Sequence, residues 1–305
     1  EEQKILLGKT FGCCRFLYNQ MLNDKIREYE KTKKMLKNTP AMYKKEYPFL
    51  KEIDSLALAN VQLHLEKAYK NFFRDPKIGF PRFKSKHHSK NSYTTNVVNG
   101  NILVESKRIR LPKLKWIAMK KHREPAEGLR LKSVTVSMEP SGKYFASLLY
   151  EGYSCENQAA GPDYSTAKIL GIDYAMQGMA VFSEKVETEE AGFFRKNEKR
   201  LAREQRKLSR CVRGSHNYEL QKKKVARCHE KIRNQRRDHL HKLSRKIADG
   251  YDAAAVEDID MKAMGQCLHF GKSVQDNGYG MFREMLDYKL AWKGKKMVKV
   301  DRFFP

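Results

Sequence analysis

The 305-residue chain carries 62 Lys and Arg against 36 Asp and Glu, a formal charge of +26 that exceeds what solubility needs and has the sign that attracts polyphosphate. Hydrophobic residues make up 40% and aromatics 10%, enough for folded cores, so a basic disordered tail is excluded. No apolar run approaches the roughly 18–20 residues that span a bilayer, so the expectation is a soluble, intracellular protein of two or three domains with nucleic acid as its partner.

Residues 10–74 are expected to be helical, because Phe16, Leu17, Met21 and Leu22 recur at helical spacing, as do Leu56, Leu58, Val61, Leu63, Leu65, Ala68 and Phe72. A Lys-rich connection containing Pro40 separates the two runs. Phe72 and Phe73 at the end of this region fit either a core or a base-stacking platform. Next comes a basic turn, Gly79-Phe80-Pro81-Arg82-Phe83-Lys84-Ser85-Lys86. Short strands are expected at 101–104, 108–111, 131–138 and 144–150, the last two joined across Pro140-Ser141-Gly142, and their spacing suggests a small barrel. Residues 152–165 are polar, with Gly and Pro, and read as a linker.

A different architecture begins at Lys168. The strand 168–173 ends in Asp173, and a second strand at 179–183 follows a tight loop at Gln177-Gly178, which predicts a hairpin. From 197 to 248 the pattern is that of two long helices broken at Arg213-Gly214-Ser215, where Gly214 supplies a stop and Ser215 an N-cap. Over 191–250 there are 20 Lys and Arg against 6 Asp and Glu, which favours a surface that tracks a phosphate backbone over an ordinary solvated face. Gly250 ends the second helix and releases a strand at 252–258 carrying Glu257. A looser segment at 261–279, a helix at 281–292 and a strand at 296–301 complete the order expected of an RNase H-like α/β domain.

Asp173 and Glu257 each end an apolar strand, so both stand at the rim of a sheet. Hard divalent cations take such oxygen ligands, yet Asp173 could simply terminate its strand and Glu257 with Asp258 cap a helix. Asp258, Asp260 and Asp301 are weaker ligand candidates. Arg82, Lys84, Lys86 and Lys90, with Tyr93 and Thr94 after them, form a cluster that fits either nucleic-acid contact or a plain basic turn. The cysteines at 13, 14, 155, 211, 228 and 267 include no CxxC pair, and none of His87, His88, His229, His239 and His241 stands at zinc-ligand spacing from one, which fits a reduced chain. The chain opens on Glu1 and stops directly after an apolar strand, so residues are expected to be missing at both ends.

Several ordered blocks resemble TnpB, the transposon-encoded RNA-guided DNA nuclease of the OrfB family, related to miniature type V CRISPR effectors. They are Gly12-Cys13-Cys14-Arg15-Phe16-Leu17-Tyr18-Asn19, Phe72-Phe73, the 79–86 turn, Gly171-Ile172-Asp173, LAREQRKLSR at 201–210, HEKIRNQRRD at 229–238, Val256-Glu257-Asp258 and VDRFFP at 300–305. The resemblance implies an α+β multidomain fold. A helical recognition lobe would occupy 10–74 and a small β-barrel wedge domain 1–9 and 75–151, the first part as a strand. A RuvC-type nuclease domain with an inserted basic helical hairpin would occupy 166–305. Asp173 and Glu257 would be catalytic carboxylates holding two Mg²⁺ (or Mn²⁺) ions. The partners would be a guide RNA and target double-stranded DNA bearing a short adjacent motif, contacted through Arg82, Lys84, Lys86, Tyr93, Thr94, Arg203, Arg206, Arg210, Lys222, Lys223, Arg233, Arg236 and Arg237. The protein would be a monomer or homodimer in the prokaryotic cytoplasm, at the nucleoid. The family continues past this point into a zinc ribbon and a third carboxylate, so Zn²⁺ is expected only beyond residue 305. A CRISPR effector, a nuclease-dead guide-directed repressor and a transposition scaffold stand as alternatives.

Overall fold

The computed structural model describes residues 1–86, 88–152, 166–175, 179–188, 192–260 and 278–301, and the chain divides into two units, Glu1–Ser154 and Cys155–Pro305. Residues 153–165 of the expected linker, the loop at Gln177-Gly178, residues 261–277 of the looser segment and His87 lie outside the described residues.

In the first unit, helix α1 (Glu2–Thr32) buries Leu7, Phe11, Cys14, Leu17, Tyr18, Met21 and Leu22 along one stripe. Residues 1–9, expected to contribute a strand, are instead the opening of this helix, because Leu7 and Phe11 continue its apolar face. After α2 (Pro40–Glu46), helix α3 (Ser55–Arg74) faces α1 through Ala57, Leu58, Val61, Leu65 and Tyr69. Asp54 caps α3 by accepting from the Leu56 amide at 3.0 Å, and its second oxygen accepts from the Thr95 hydroxyl. That one carboxylate therefore ties the helix to a strand.

The strands expected to form a barrel make two separate antiparallel sheets, and no closed barrel exists among the described residues. In one sheet β5 (Arg130–Met138) lies between β1 (Asn91–Asn96) and β6 (Tyr144–Glu151). In the other, β3 (Arg108–Leu111) lies between β2 (Leu103–Val104) and β4 (Lys115–Ala118). Closure needs a continuous hydrogen-bonded ladder, and these strands are too short and too few to supply one.

The second unit is a four-stranded mixed sheet in the order β10-β9-β7-β8. Strands β7 (Ile169–Ala175), β9 (Ala253–Glu257) and β10 (Lys296–Val300) run parallel, and β8 (Met179–Phe182) is antiparallel to β7. One face, with Leu170, Ile172, Ala254 and Val256, is buried under Leu240, Leu243 and Ile247 of α5 (His216–Gly250) and Phe282, Met285, Leu286 and Leu290 of α6 (Tyr279–Trp292). Helix α4 (Phe193–Ser209) packs back on α5 through Leu201 against Cys228 and Ile232. The break between them is the expected one: the Ser215 hydroxyl accepts from the Tyr218 amide at 3.1 Å and starts α5. Lys289 of α6 is buried against α5, where its ammonium donates to the His241 carbonyl at 2.7 Å and the Ser244 hydroxyl at 2.6 Å. No described helix is long and apolar enough to cross a membrane.

Candidate functional site

The parallel register pairs Ile172 of β7 with Val256 of β9. Asp173 and Glu257 are the next residue on each strand, so they stand abreast at the same end of the sheet and, by strand alternation, on the same face. Among the described residues the helices leave much of that face open, since Ile169, Val181 and Val298 on it are exposed. Gly171 lets the β8 end come close: a Cβ there would lie 3.3 Å from the Ser183 Cβ, and Ser183 bonds the Gly171 backbone in both directions at 2.9 Å.

Asp258 occupies a different environment. Although 52% exposed, it pairs with Arg283 at 3.3 Å and Lys299 at 3.7 Å, so its charge is already offset. Arg283 also donates to the main-chain carbonyl of Glu257 at 3.4 Å.

Two residues of α6 were not identified from sequence. Tyr279 is fully buried, with its ring 5.1 Å from that of Tyr174, and its hydroxyl has no hydrogen-bond partner among the described residues. That hydroxyl is pushed up to about 12, mainly by burial, with the negative fields of Asp173 and Glu257 adding to the rise and Arg283 opposing it. Gly278 before it adopts φ 67°, and a Cβ there would meet the Arg236 side chain at 3.0 Å and Leu240 at 3.2 Å. The signal for Tyr279 was present as an aromatic four residues before Arg283 on one helix face, but the flanking Gly278 and Gly280 fit a loop as well as a helix start.

The donor chemistry fits a divalent cation. Two carboxylates on rigid neighbouring strands are the kind of protein contribution a Mg²⁺ ion takes when water and substrate oxygens fill its other positions. Among the described residues no group of three or more His, Cys, Asp or Glu forms a further metal cluster.

On the α4/α5 hairpin, Arg203, Arg206, Arg210, Lys222, Lys223, Arg233 and Arg237 are exposed. Gln221 fastens the two helices by donating to the Glu204 carbonyl at 3.0 Å and carboxylate at 2.8 Å, and that bond holds Glu204 below the usual carboxylate range. Arg236 differs, because its stem packs at the start of α6. His239 is buried against Phe193 at 5.5 Å between ring centres.

In the first unit, Arg82 and Lys86 are exposed, whereas Lys84 is half-buried with its ammonium 3.9 Å from the centre of the Tyr18 ring. Its backbone amide donates to Asn19 at 2.8 Å and its carbonyl accepts from Asn19 at 2.9 Å, so the 12–19 and 79–86 blocks meet there. Burial pushes the Lys84 ammonium below the ordinary lysine value. Thr94 shares a 2.8 Å hydrogen bond with Thr135. Tyr93 is only 4% exposed and tilts against Phe11, so it is a core residue rather than a surface contact. Phe73, by contrast, is 66% exposed and touches Phe72, which in turn meets Phe80.

A family model described as "Probable transposase" matches residues 152–267, and one described as "Helix-turn-helix domain" matches residues 1–34, which here form the single helix α1 with its cap. Relatives that carry the name "Putative RNA-guided DNA endonuclease" include two that align along nearly the whole chain. The one from Streptomyces pristinaespiralis is 31% identical over 100% of this chain and 76% of its own length. The other, InsQ from Escherichia coli K12, is 30% identical over 98% of this chain and 77% of its own. Among solved structures, a Cas12f1–sgRNA–target DNA complex covers 96% of this chain and 72% of its own at a TM-score of 0.54 and 14% identity, a likeness of fold.

Proposed function

The chain belongs to the TnpB family of transposon-encoded RNA-guided DNA endonucleases, and we propose that it hydrolyses target DNA at Asp173 and Glu257. The observation that carries this reading is the strand register, which sets two carboxylates from distant parts of the chain side by side. The parallel core of the sheet and its acidic strand ends support a RuvC-type site.

Asp173 and Glu257 would hold the divalent ions, both from hydrogen-bonded neighbouring strands of one sheet. Two such ions, when bound, supply an activated water and neutralise charge on the leaving oxygen. The chain's own cations do the rest. Arg203, Arg206, Arg210, Lys222, Lys223, Arg233 and Arg237 present a row of positive charge for the phosphates of an RNA–DNA heteroduplex, leaving sequence to base pairing. Arg82 and Lys86 serve guide RNA or the duplex motif beside the target, and Lys84 holds their turn against α1. The relative in complex with guide and target DNA supports these partners.

The test is cleavage of guide-matched DNA in Mg²⁺ by the intact protein. Asp173→Ala and Glu257→Gln should each lose at least 100-fold in cleavage, on the order of a removed catalytic group, while retaining guide-dependent DNA binding. Undiminished cutting by Asp173→Ala sinks the site assignment. A parent that binds matched DNA without cutting leaves guide-directed binding as the function.

A further inference from the structure

The buried stripe of α3 ends at Tyr69, and one turn later the helix carries its aromatic side chains out to the surface. Tyr69 is 6% exposed, whereas Phe73 is 66% exposed. The two rings are stacked, 24° apart in plane with centres 6.2 Å apart, so a ring stack that begins in the core emerges into water. Phe72 tilts against Phe73 at 5.4 Å. Gly79 adopts φ 83°, a conformation open to glycine, and the turn it makes sets Phe80 edge-on to both Tyr69 at 5.6 Å and Phe72 at 5.4 Å. Phe73 is thus backed by other rings while most of its own surface stays open. Ile78, Phe80 and Phe83 are exposed as well, which makes this a patch and not a single stray ring.

The charges around the patch say what covers it. Between 67 and 86 there are seven Lys and Arg against one acid, Asp75, which caps the turn after α3 by accepting from the Lys77 amide at 3.0 Å. Lys70, Arg74, Lys77 and Arg82 are exposed, and none makes an ion pair among the described residues. A second copy of this chain would bring a further +26 to the same place. A flat apolar ring ringed by unpaired cations is instead complementary to a base with its flanking phosphates. Bases inside a duplex already stack on one another, so the ring requires an unpaired one. The loops and ends of a guide RNA offer such bases before any target is present.

We propose that Phe73, backed by Tyr69, Phe72 and Phe80, is a stacking platform for an unpaired base of the guide RNA, with Arg74, Lys77 and Arg82 on the neighbouring phosphates. The proposal rests on the guide-RNA reading above and gives that RNA a place on the first unit.

The test is ultraviolet crosslinking of the intact protein, purified from cells carrying its native flanking DNA, to the RNA that copurifies with it, before target DNA is added. Trypsin cuts after Lys70 and Arg74, so the platform is read on one short peptide, Asn71–Arg74. A nucleotide adduct on that peptide is the expected result. Adducts on the α4/α5 hairpin with none on Asn71–Arg74 overturn the platform and leave the guide-RNA reading standing. If no RNA copurifies, that reading fails and the proposal falls with it. An adduct that forms only once target DNA is present belongs to a displaced DNA strand and also overturns the proposal. Phe73→Leu supplies a second arm, because it keeps an apolar side chain but no flat ring. Its melting temperature should match the parent's. Its affinity for single-stranded oligoadenylate RNA should fall about 10-fold at an unaltered salt slope, since stacking releases no counterions, while duplex RNA binds as before. Parent-like affinity for oligoadenylate, or an equal loss for duplex RNA, overturns the platform. So does a parent that sediments as a dimer where Phe73→Leu sediments as a monomer, which would give the patch to a second copy.

Discussion

Single side chains in this protein are set by neighbours that sequence spacing does not reveal. His241 accepts from the Arg237 guanidinium at 3.4 Å and lies 3.5 Å from the Tyr288 hydroxyl. Burial first, then Lys289 and Arg237, hold its imidazole below the ordinary histidine value, against a smaller opposing pull from Asp238. The folded chain thus gives up its proton more readily than the unfolded one. Stability is full above the unfolded value of about 6.5 and declines as pH falls from there toward the folded value. Melting curves between about pH 7.5 and 5.5 should show this fall, and His241→Asn should flatten part of it; His64, lowered first by burial, contributes the same sign from the first unit. An unchanged slope in His241→Asn would discount His241. Tyr93 shows why residue roles were only partly legible. It follows a basic cluster in sequence, but strand alternation turns it and Thr95 inward, and a polar stretch such as NSYTTN does not announce which alternate is buried.

Elements were more legible where periodicity was strong. The stripes of α3 and α5, the strand at 108–111 and the break at Ser215 stand where hydrophobic spacing and capping chemistry put them. β1 escaped notice because its identity comes from pairing with β5, for instance Tyr93 with Val136, and not from its own composition. The acidic strand ends were visible in sequence, but their register was not, since a strand states its faces and not its neighbour. Ser215→Ala should cost the hairpin about 1 kcal/mol, seen as a Tm lowered by about 2–4 °C, while Ser215→Asp should preserve it. The exposed cations can be counted by salt. If Lys222 and Lys223 each meet a phosphate, the double change to Gln should reduce the slope of log affinity against log salt by about 1.4–1.8. Weaker binding at an unaltered slope would mean that they act otherwise.

At the scale of the whole molecule, a formal charge of +26 must be held together by cores that work against it. Added salt screens that repulsion, so the nucleic-acid-free protein should melt about 2–4 °C higher in 0.5 M than in 0.02 M NaCl, corresponding to about 1 kcal/mol of relieved repulsion. A Tm that falls with salt would show that attractive pairs such as Arg245 with Asp249 outweigh the excess charge. The adjacency of β7 and β9 also has a consequence in time. The 84 positions separating Asp173 from Glu257 take on the order of 4–17 s to synthesise at about 5–20 residues per second. The basic hairpin is made within that interval, and Gly250, its last helical residue, precedes Glu257 by seven positions, so the growing chain holds its exposed cations before it owns both carboxylates. On the proposed function, a nascent polypeptide would therefore attract nucleic acid shortly before it is equipped to cut.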